Sequence, residues 1–236
     1  MTQTYPIEPI AVCTTPYSQK FAVPRQPGLV TAANGVIELL EGYNNPDLVR
    51  GIEQYSHLWL TFVFDKTLEQ GWRPTIRPPR LGGNQRIGVL ASRSPFRPNG
   101  LGQSVVKLEK VEISGTNVKL HISGMDLVNQ TPVIDIKPYI PYSDAVASAT
   151  AGMAQQKPTL VKVEFSSEVN EQMALLNSSD YPQLPLLIKQ IIEQDPRPAY
   201  KKGQTDQKIY TMTLFDLEIS WRYHNECAKV TLITKS

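Results

Sequence analysis

Apolar and polar residues alternate through much of the first 140 positions. Val118, Leu120 and Ile122 fall on one side of a two-residue repeat, and Lys119 and His121 on the other, as in a half-buried strand. Further strand-like runs are "IEPIAV" (7–12), "GVIELL" (35–40), "HLWLTFVF" (57–64), "RIGVLAS" (86–92), "QSVVKLEKVEI" (103–113) and "PVIDIKPYI" (132–140). "SGTN" (114–117) between two of these runs signals a hairpin, and "DLVRGIEQ" (47–54) predicts a short helix. No strand is followed by a long amphipathic helix, so a doubly wound parallel sheet is not expected. Many short strands in succession predict an antiparallel sheet that closes, or nearly closes, into a barrel.

The pattern changes near residue 143. "SDAVASATAGMAQQKP" (143–158) is small and polar, with five alanines and no aromatic residue, and reads as an exposed connection. Beyond it the pattern predicts strand "TLVKVEF" (159–165), a helix from Ser167 to Asn177 and a helix from Pro185 to Gln194. Ser167 suits the N-cap of the first helix, with Val169, Met173 and Leu176 on its apolar face. Two closing strands are expected, "IYTMTLFDLEISWRY" (209–223) and "AKVTLIT" (228–234). The fold class is therefore mainly β with an α+β part. A barrel over 1–145 is joined by a linker over 146–158 to a small α+β domain over 159–236.

Composition narrows the function. The chain has 236 residues, 41% hydrophobic and 19% charged, which is ordinary for a globular protein. The net charge of only +2 argues against a general coat for nucleic acid, so any anion site is local. The start, "MTQTYPIEPIAV", lacks the basic and apolar regions of a signal peptide, and no apolar run is long enough to span a bilayer. A cytoplasmic protein is expected. Cys13 and Cys227 form no CxxC and, with His57, His121 and His224, no metal-ligand spacing, so two buried free thiols are expected and no metal.

The local anion site stands out between Arg77 and Ser104. Arg77, Arg80, Arg86, Arg93 and Arg97 lie there among four prolines and five glycines, with no lysine and no acid. Guanidinium groups offer flat, forked hydrogen bonding to carboxylates and phosphates and stack on rings, which ammonium groups do less well. Proline fixes the loop in advance and lowers the ordering cost of binding. Three further clusters carry chemistry. "FAVPRQPG" (21–28) brackets Arg25 and Gln26 between prolines, a fork and an amide suited to a carboxylate or a base edge. In "DIKPYIPYSD" (135–144), Asp135, Lys137 and Tyr139 share one strand face, which as an interior row would need partners. "DPRPAY" (195–200) holds Asp195, Arg197 and Tyr200 in an extended or turn geometry, which also suits a rigid inter-domain turn. GxGxxG after a strand, GxxxxGK[ST], GxSxG and HExxH are all missing.

Taken together, "FAVPRQPG", "YSHLWLTFVF", "RPPRLGGNQRIGVLASRSPFRPN", "DIKPYIPY" and "DPRPAYKKG" resemble the TrmO (YaeB-like) family over nearly the whole chain, in the same order. Its members are tRNA (N6-threonylcarbamoyladenosine-37) N6-methyltransferases. The resemblance implies a non-Rossmann, single-sheet barrel that binds S-adenosyl-L-methionine, a homodimer, and the anticodon loop of threonine tRNA as partner. It implies cofactor contacts at Pro24, Arg25, Gln26, Asp65, Lys66, Arg93, Gln103, Ser123, Gly124, Met125 and Asp126. The chain departs from the family pattern at Asp65, where histidine is common, at Gly100 for proline, and at Asn129.

Moving a methyl group to a base nitrogen calls for placement and, for this weak nucleophile, a general base. Asp126, Asp135 and Asp195 are candidates, with Asp195 preferred and Tyr200 orienting or stacking on the base. Arg77, Arg80, Arg86, Arg97, Lys137 and Arg197 are the expected contacts to the RNA and to the carboxylate of its threonyl group. The competing readings are a tRNA- or nucleotide-binding barrel without chemistry and a phosphate-handling enzyme, for which neither nucleophile nor metal ligands are in view.

Overall fold

The structure is a computed structural model that describes residues 3–82, 84–195, 197, 201 and 205–235. Six strands build a closed barrel: β1 (Ala11–Thr14), β2 (Asn34–Leu39), β3 (His57–Val63), β6 (Leu101–Ser114), β7 (Asn117–Ser123) and β8 (Thr131–Pro138). Their order around the barrel is β1-β2-β7-β6-β3-β8, and every pairing is antiparallel. Closure leaves no open edge to the sheet. Ile37, Leu58, Leu60, Val106, Leu120, Ile122 and Val133 point inward and are at most 1% exposed, so the interior is packed rather than a channel. The hairpin read from "SGTN" is present: Ser114 pairs Asn117 across Gly115, whose φ of 62° suits glycine.

Strand polarity decides where the loops emerge. β1 ends beside the start of β2 (Thr14 opposite Val36), β3 ends beside the start of β6 (Val63 opposite Leu101), and β7 ends opposite Asn34. The connections 15–33, 64–100 and 124–130 therefore all leave from the same rim. The second of these is the long arginine-rich stretch. It holds α1 (Asp65–Leu68) and a two-stranded ribbon of β4 (Thr75–Ile76) and β5 (Ile87–Gly88). The expected strand over 86–92 shrinks to those two residues before a 3-10 turn, Val89–Ala91. The barrel wall is already closed by β3 and β8, so this segment has no sheet edge to join.

At the opposite rim the helix expected over 47–54 appears as two 3-10 turns, Pro46–Val49 and Ile52–Gln54, with positive-φ Gly51 between them. The first expected strand starts later than the pattern implied, at Ala11. The row of Asp135, Lys137 and Tyr139, which inside the barrel would have needed partners, faces outward. Leu58, Leu60 and Phe62 fill the interior, and across from them stand Pro138, Ile136 and Val133, which fixes their neighbours on the outside. Tyr139 there packs against Trp59 and His57.

After α2 (Pro141–Asp144) and an exposed connection, the C-terminal unit forms a sheet in the order β10-β11-β12-β9. Its strands are β9 (Lys162–Phe165), β10 (Asp206–Leu214), β11 (Leu217–His224) and β12 (Cys227–Lys235), with α3 (Ser167–Ala174) and α4 (Leu184–Ile192). The run 209–223 is two strands, not one. The chain reverses at Phe215 and Asp216, with Phe215 at φ 56° and no glycine or proline to announce the turn. The N-cap of α3 is Ser166, whose Oγ accepts from the Val169 N–H at 3.2 Å, one residue earlier than expected. No helix among the described residues is long and apolar enough to cross a membrane. Cys13 and Cys227 are free, the first buried and the second half-buried rather than sealed.

The C-terminal unit sits on the 15–33 loop. Phe215 N–H donates to Pro16 O at 2.8 Å, Ala32 N–H donates to Gln190 Oε1 at 2.9 Å, and the Phe21 ring stacks on Trp221. The buried side chains of both units make one continuous cluster.

Candidate functional site

The segments that carry the chemistry meet at the rim defined above. In the 15–33 loop, Pro24 is buried while Arg25 is exposed and Gln26 half-buried. Arg93, in the arginine-rich connection, donates to Gln26 Oε1. Its charge also acts on Asp126, in the connection after β7. Ser104 Oγ, on the inward side of β6, donates to Asp126 Oδ1. Burial pushes the Asp126 carboxyl up to about 6, and the Ser104 bond, its own backbone N–H and Arg93 hold it from going higher. Among the described residues Asp126 forms no salt bridge. Three chain segments far apart in sequence thus share one polar cluster.

Glycines let two of these loops cross closely. Gly28 N–H donates to Gly124 O at 2.8 Å, and Gly124 N–H donates to Ala33 O at 3.1 Å. Both glycines have φ near +74°, and a Cβ on Gly124 would stand 3.6 Å from Gly28 Cα. The neighbouring Ser123 and Met125 are buried. Ser123 Oγ is turned to Glu109, and the Met125 side chain packs into the core over Gly35.

The other expected cofactor residues stand around this centre. Asp65 and Lys66 pair at 2.7 Å at the start of α1, just past the end of β3, where Phe64 N–H donates to Gly100 O. Gly100 has φ 59°, a conformation closed to the proline of the family pattern. Gln103 is exposed on the outer wall, in a row with Thr61 and Asp135 across β6, β3 and β8. Lys137 lies on that same outer wall, opposite Trp59, so Asp135 and Lys137 are on the other side of the sheet from Ser104. Asn129, the third departure, accepts from Thr15 N–H through Oδ1 and ties its loop to the start of the 15–33 connection.

The arginines divide by role. Arg77 and Arg86 are exposed. Arg80 is exposed too and donates to Gln156 O, while Arg97 donates to Ser92 O at 3.2 Å and so braces its own loop. Arg25 donates to Arg197 O at 3.4 Å, and the charges of Asp195 and Arg80 act on it. Partial desolvation beside Arg197 lowers the Arg25 guanidinium first, Asp195 opposes that, and Arg80 adds to it.

"DPRPAY" forms something other than an open base. Asp195 and Arg197 are 1% and 0% exposed. The Arg197 Nε and Nη2 donate to the two carboxylate oxygens at 2.8 and 2.9 Å, and the guanidinium lies 3.6 Å from the Tyr223 ring centroid. Desolvation would lower Arg197, but Asp195 more than offsets it and holds the guanidinium charged. Asp195 itself takes φ 45°, strained for a residue other than glycine. Both carboxylate oxygens expected to move a proton are thus engaged by a buried guanidinium, and Arg197 faces the protein rather than solvent. Tyr200 lies outside the described residues.

Two residues in this neighbourhood were not anticipated. Ser104 carries the direct bond to Asp126, and period-two reading of β6 places it inward with Val106. Tyr17 is fully buried, its hydroxyl has no hydrogen-bond partner among the described residues, and burial followed by the Asp126 charge pushes its pKa up.

The model of the tRNA-methyltransferase O N-terminal domain matches residues 12–145, and that of the TrmO C-terminal domain matches residues 158–236. The chain belongs to the TrmO family. It is 50% identical over 220 residues, 93% of each chain, to the tRNA (adenine(37)-N6)-methyltransferase of Escherichia coli K12. It is 44% identical over 179 residues to the protein of the same name from Eikenella corrodens, covering 76% of this chain and 97% of that one. A crystal structure of TrmO from Pseudomonas aeruginosa superimposes with TM-score 0.83 and 36% identity, covering 100% and 99% of the two chains. TrmO-type matches thus cover the barrel and the C-terminal unit together.

The Asp195–Arg197 clamp yields a direct expectation. Replacing Arg197 with Met leaves a buried carboxylate uncompensated and should cost about 3–5 kcal/mol, against about 0.5 kcal/mol or less for Arg77→Met at the surface. Urea unfolding of the two variants measures the difference.

Proposed function

We propose that this protein transfers a methyl group from S-adenosyl-L-methionine to N6 of adenosine 37 in tRNA. The observation that carries the reading is the polar cluster of Gln26, Arg93, Ser104 and Asp126, at one rim of a chain whose two halves both match TrmO domain models. When bound, S-adenosyl-L-methionine supplies an electrophilic methyl on a positive sulfur. The residues present fit it. Arg25 and Arg93 offer forks for its carboxylate, the crossing at Gly28 and Gly124 permits close backbone approach, and the half-buried Asp126, without an ion-pair partner among the described residues, gains from a nearby positive charge. Asp65, Lys66 and Gln103 border the same rim.

Asp126 is the acid–base group of this reading. A carboxyl raised to about 6 titrates close to working pH, where a general base is most effective. In the step proposed, the Asp126 carboxylate would take the N6 proton as the methyl carbon exchanges its bond to sulfur for one to nitrogen, which leaves a neutral thioether. Asp195 acts at one remove: its pair with Arg197 sets the Arg197 carbonyl that Arg25 contacts. The finer substrate is the threonylcarbamoyl-modified base of threonine tRNA, whose carboxylate gives the exposed Arg77, Arg80 and Arg86 a group to discriminate. The enzyme works as a homodimer in the cytoplasm.

The test is incubation of the protein with labelled S-adenosyl-L-methionine and bulk tRNA, with and without the threonylcarbamoyl group, followed by mass analysis of the nucleosides. Label in N6-methylated threonylcarbamoyladenosine, and none in RNA lacking the modification, is expected. Binding of tRNA without transfer would leave a non-catalytic module. A pH series adds a second check. The carboxylate form of Asp126 is present above its raised pKa, so kcat/KM should rise as pH increases through about 6 and then level. Asp126→Asn should lose that limb and most of the rate. An unchanged limb in Asp126→Asn would remove this residue from the proton transfer.

A further inference from the structure

We infer that a strip of interleaved aromatic and cationic side chains beside the rim is a stacking platform for the single-stranded nucleotides that flank the target base. The inference rests on the reading of the protein as a tRNA methyltransferase and adds the path the RNA takes across it. Phe96 is the hub of the strip. Lys20 Nζ lies 5.1 Å and Arg73 Cζ 5.0 Å from its ring centroid, and Arg73 N–H donates to Phe96 O at 3.1 Å. This joins two segments distant in sequence, and each carries an exposed ring next to its cation: Phe21 beside Lys20 and Trp72 beside Arg73.

Phe21 is 41% and Trp72 60% exposed. The Phe21 ring is held by stacking on the buried Trp221 at 6.0 Å, so it is presented in a fixed orientation. Beside it runs a cleft of about 190 Å³, lined by Lys20, Phe21, Arg25, Ile191 and Gln194 among others. It leads toward the Arg25 contact with Arg197.

A single exposed tryptophan is an ordinary surface feature. Rings set between guanidinium and ammonium groups, next to a site that acts on a loop base, are what single-stranded RNA recognition requires. Unpaired bases stack on the rings, and the cations meet the phosphates between them. The charge of the strip favours a polyanion, and its flat faces favour bases.

The other two tryptophans make the test readable. Trp221 is buried, and Trp59 is half-buried with its Nε1 donating to Asp144 at 3.0 Å, so Trp72 is the exposed emitter. The probe is an anticodon stem-loop RNA containing the target adenosine, titrated against the full chain. Trp72→Ala should weaken binding about tenfold, the loss of one stacked base. Trp72→Phe should hold near the wild-type affinity while losing the fluorescence quenching that RNA causes in the wild type. Melting temperatures of the two variants close to wild type show that the fold is intact. Arg73→Ala should reduce the salt dependence of binding, whereas Trp72→Ala should not.

Wild-type affinity in Trp72→Ala, with no quenching in the parent, would overturn the inference while methyl transfer by the parent left the function standing. A parent that neither binds nor methylates RNA would remove both. Displacement of the RNA by polyglutamate at equal charge would mark a surface selective for charge alone, and would also overturn it.

Discussion

An antiparallel barrel has two rims, and consecutive strands must return to the same one at every second turn. That parity governs this molecule. β1, β3 and β7 all run toward one rim, so the connections that follow them are forced together however far apart they lie in sequence. The 15–33 loop, the arginine-rich stretch and the turn after β7 meet there because the ladder of backbone hydrogen bonds leaves them no other exit. The packed interior of Leu, Ile, Val and Phe side chains fixes strand register, since a one-residue slip would turn each of them outward. Hydrophobic packing thereby sets the position of the polar site at its end.

Within that frame the electrostatics are local. The chain as a whole is nearly neutral, and most of its arginines fall in the two loops that this rim gathers, 15–33 and 64–100. Arg93 donates to Gln26 and its charge acts on Asp126, while Ser104 Oγ donates to that carboxylate. The C-terminal unit contributes through backbone and burial. It seats on the 15–33 loop, and its sealed Asp195–Arg197 pair presents a carbonyl to Arg25. The family match across both halves fits a site that needs both.

Most barrel strands were legible because each is half-buried and alternates cleanly, as β7 does through Val118, Leu120 and Ile122. The turn at Phe215 was not, since its positive φ falls on a residue that gives no such signal. The 86–92 run looked like a strand because composition reports propensity, while strand formation needs a free neighbour, and the closed wall offers none. The arginine stretch and Arg25–Gln26 were visible as chemistry, but their meeting with Asp126 was not, for it depends on rim parity. Asp135 and Lys137 look alike on either face of a strand until the register with β3 is known. The partner of Asp195 stood two residues away in "DPRPAY", yet its complete burial follows from the packing of Tyr223 above it.

In the proposed site Arg93 offers its fork to the carboxylate of the methyl donor, and its hydrogen bond to Gln26 holds it at the shared rim. A double-mutant cycle on S-adenosyl-L-methionine affinity, measured by calorimetry with Gln26→Ala, Arg93→Ala and the pair, tests it most directly. The account predicts that each single change weakens binding and that the double change falls short of their sum by at least about 0.5 kcal/mol. Affinity losses that add, or no loss at either position, would contradict it.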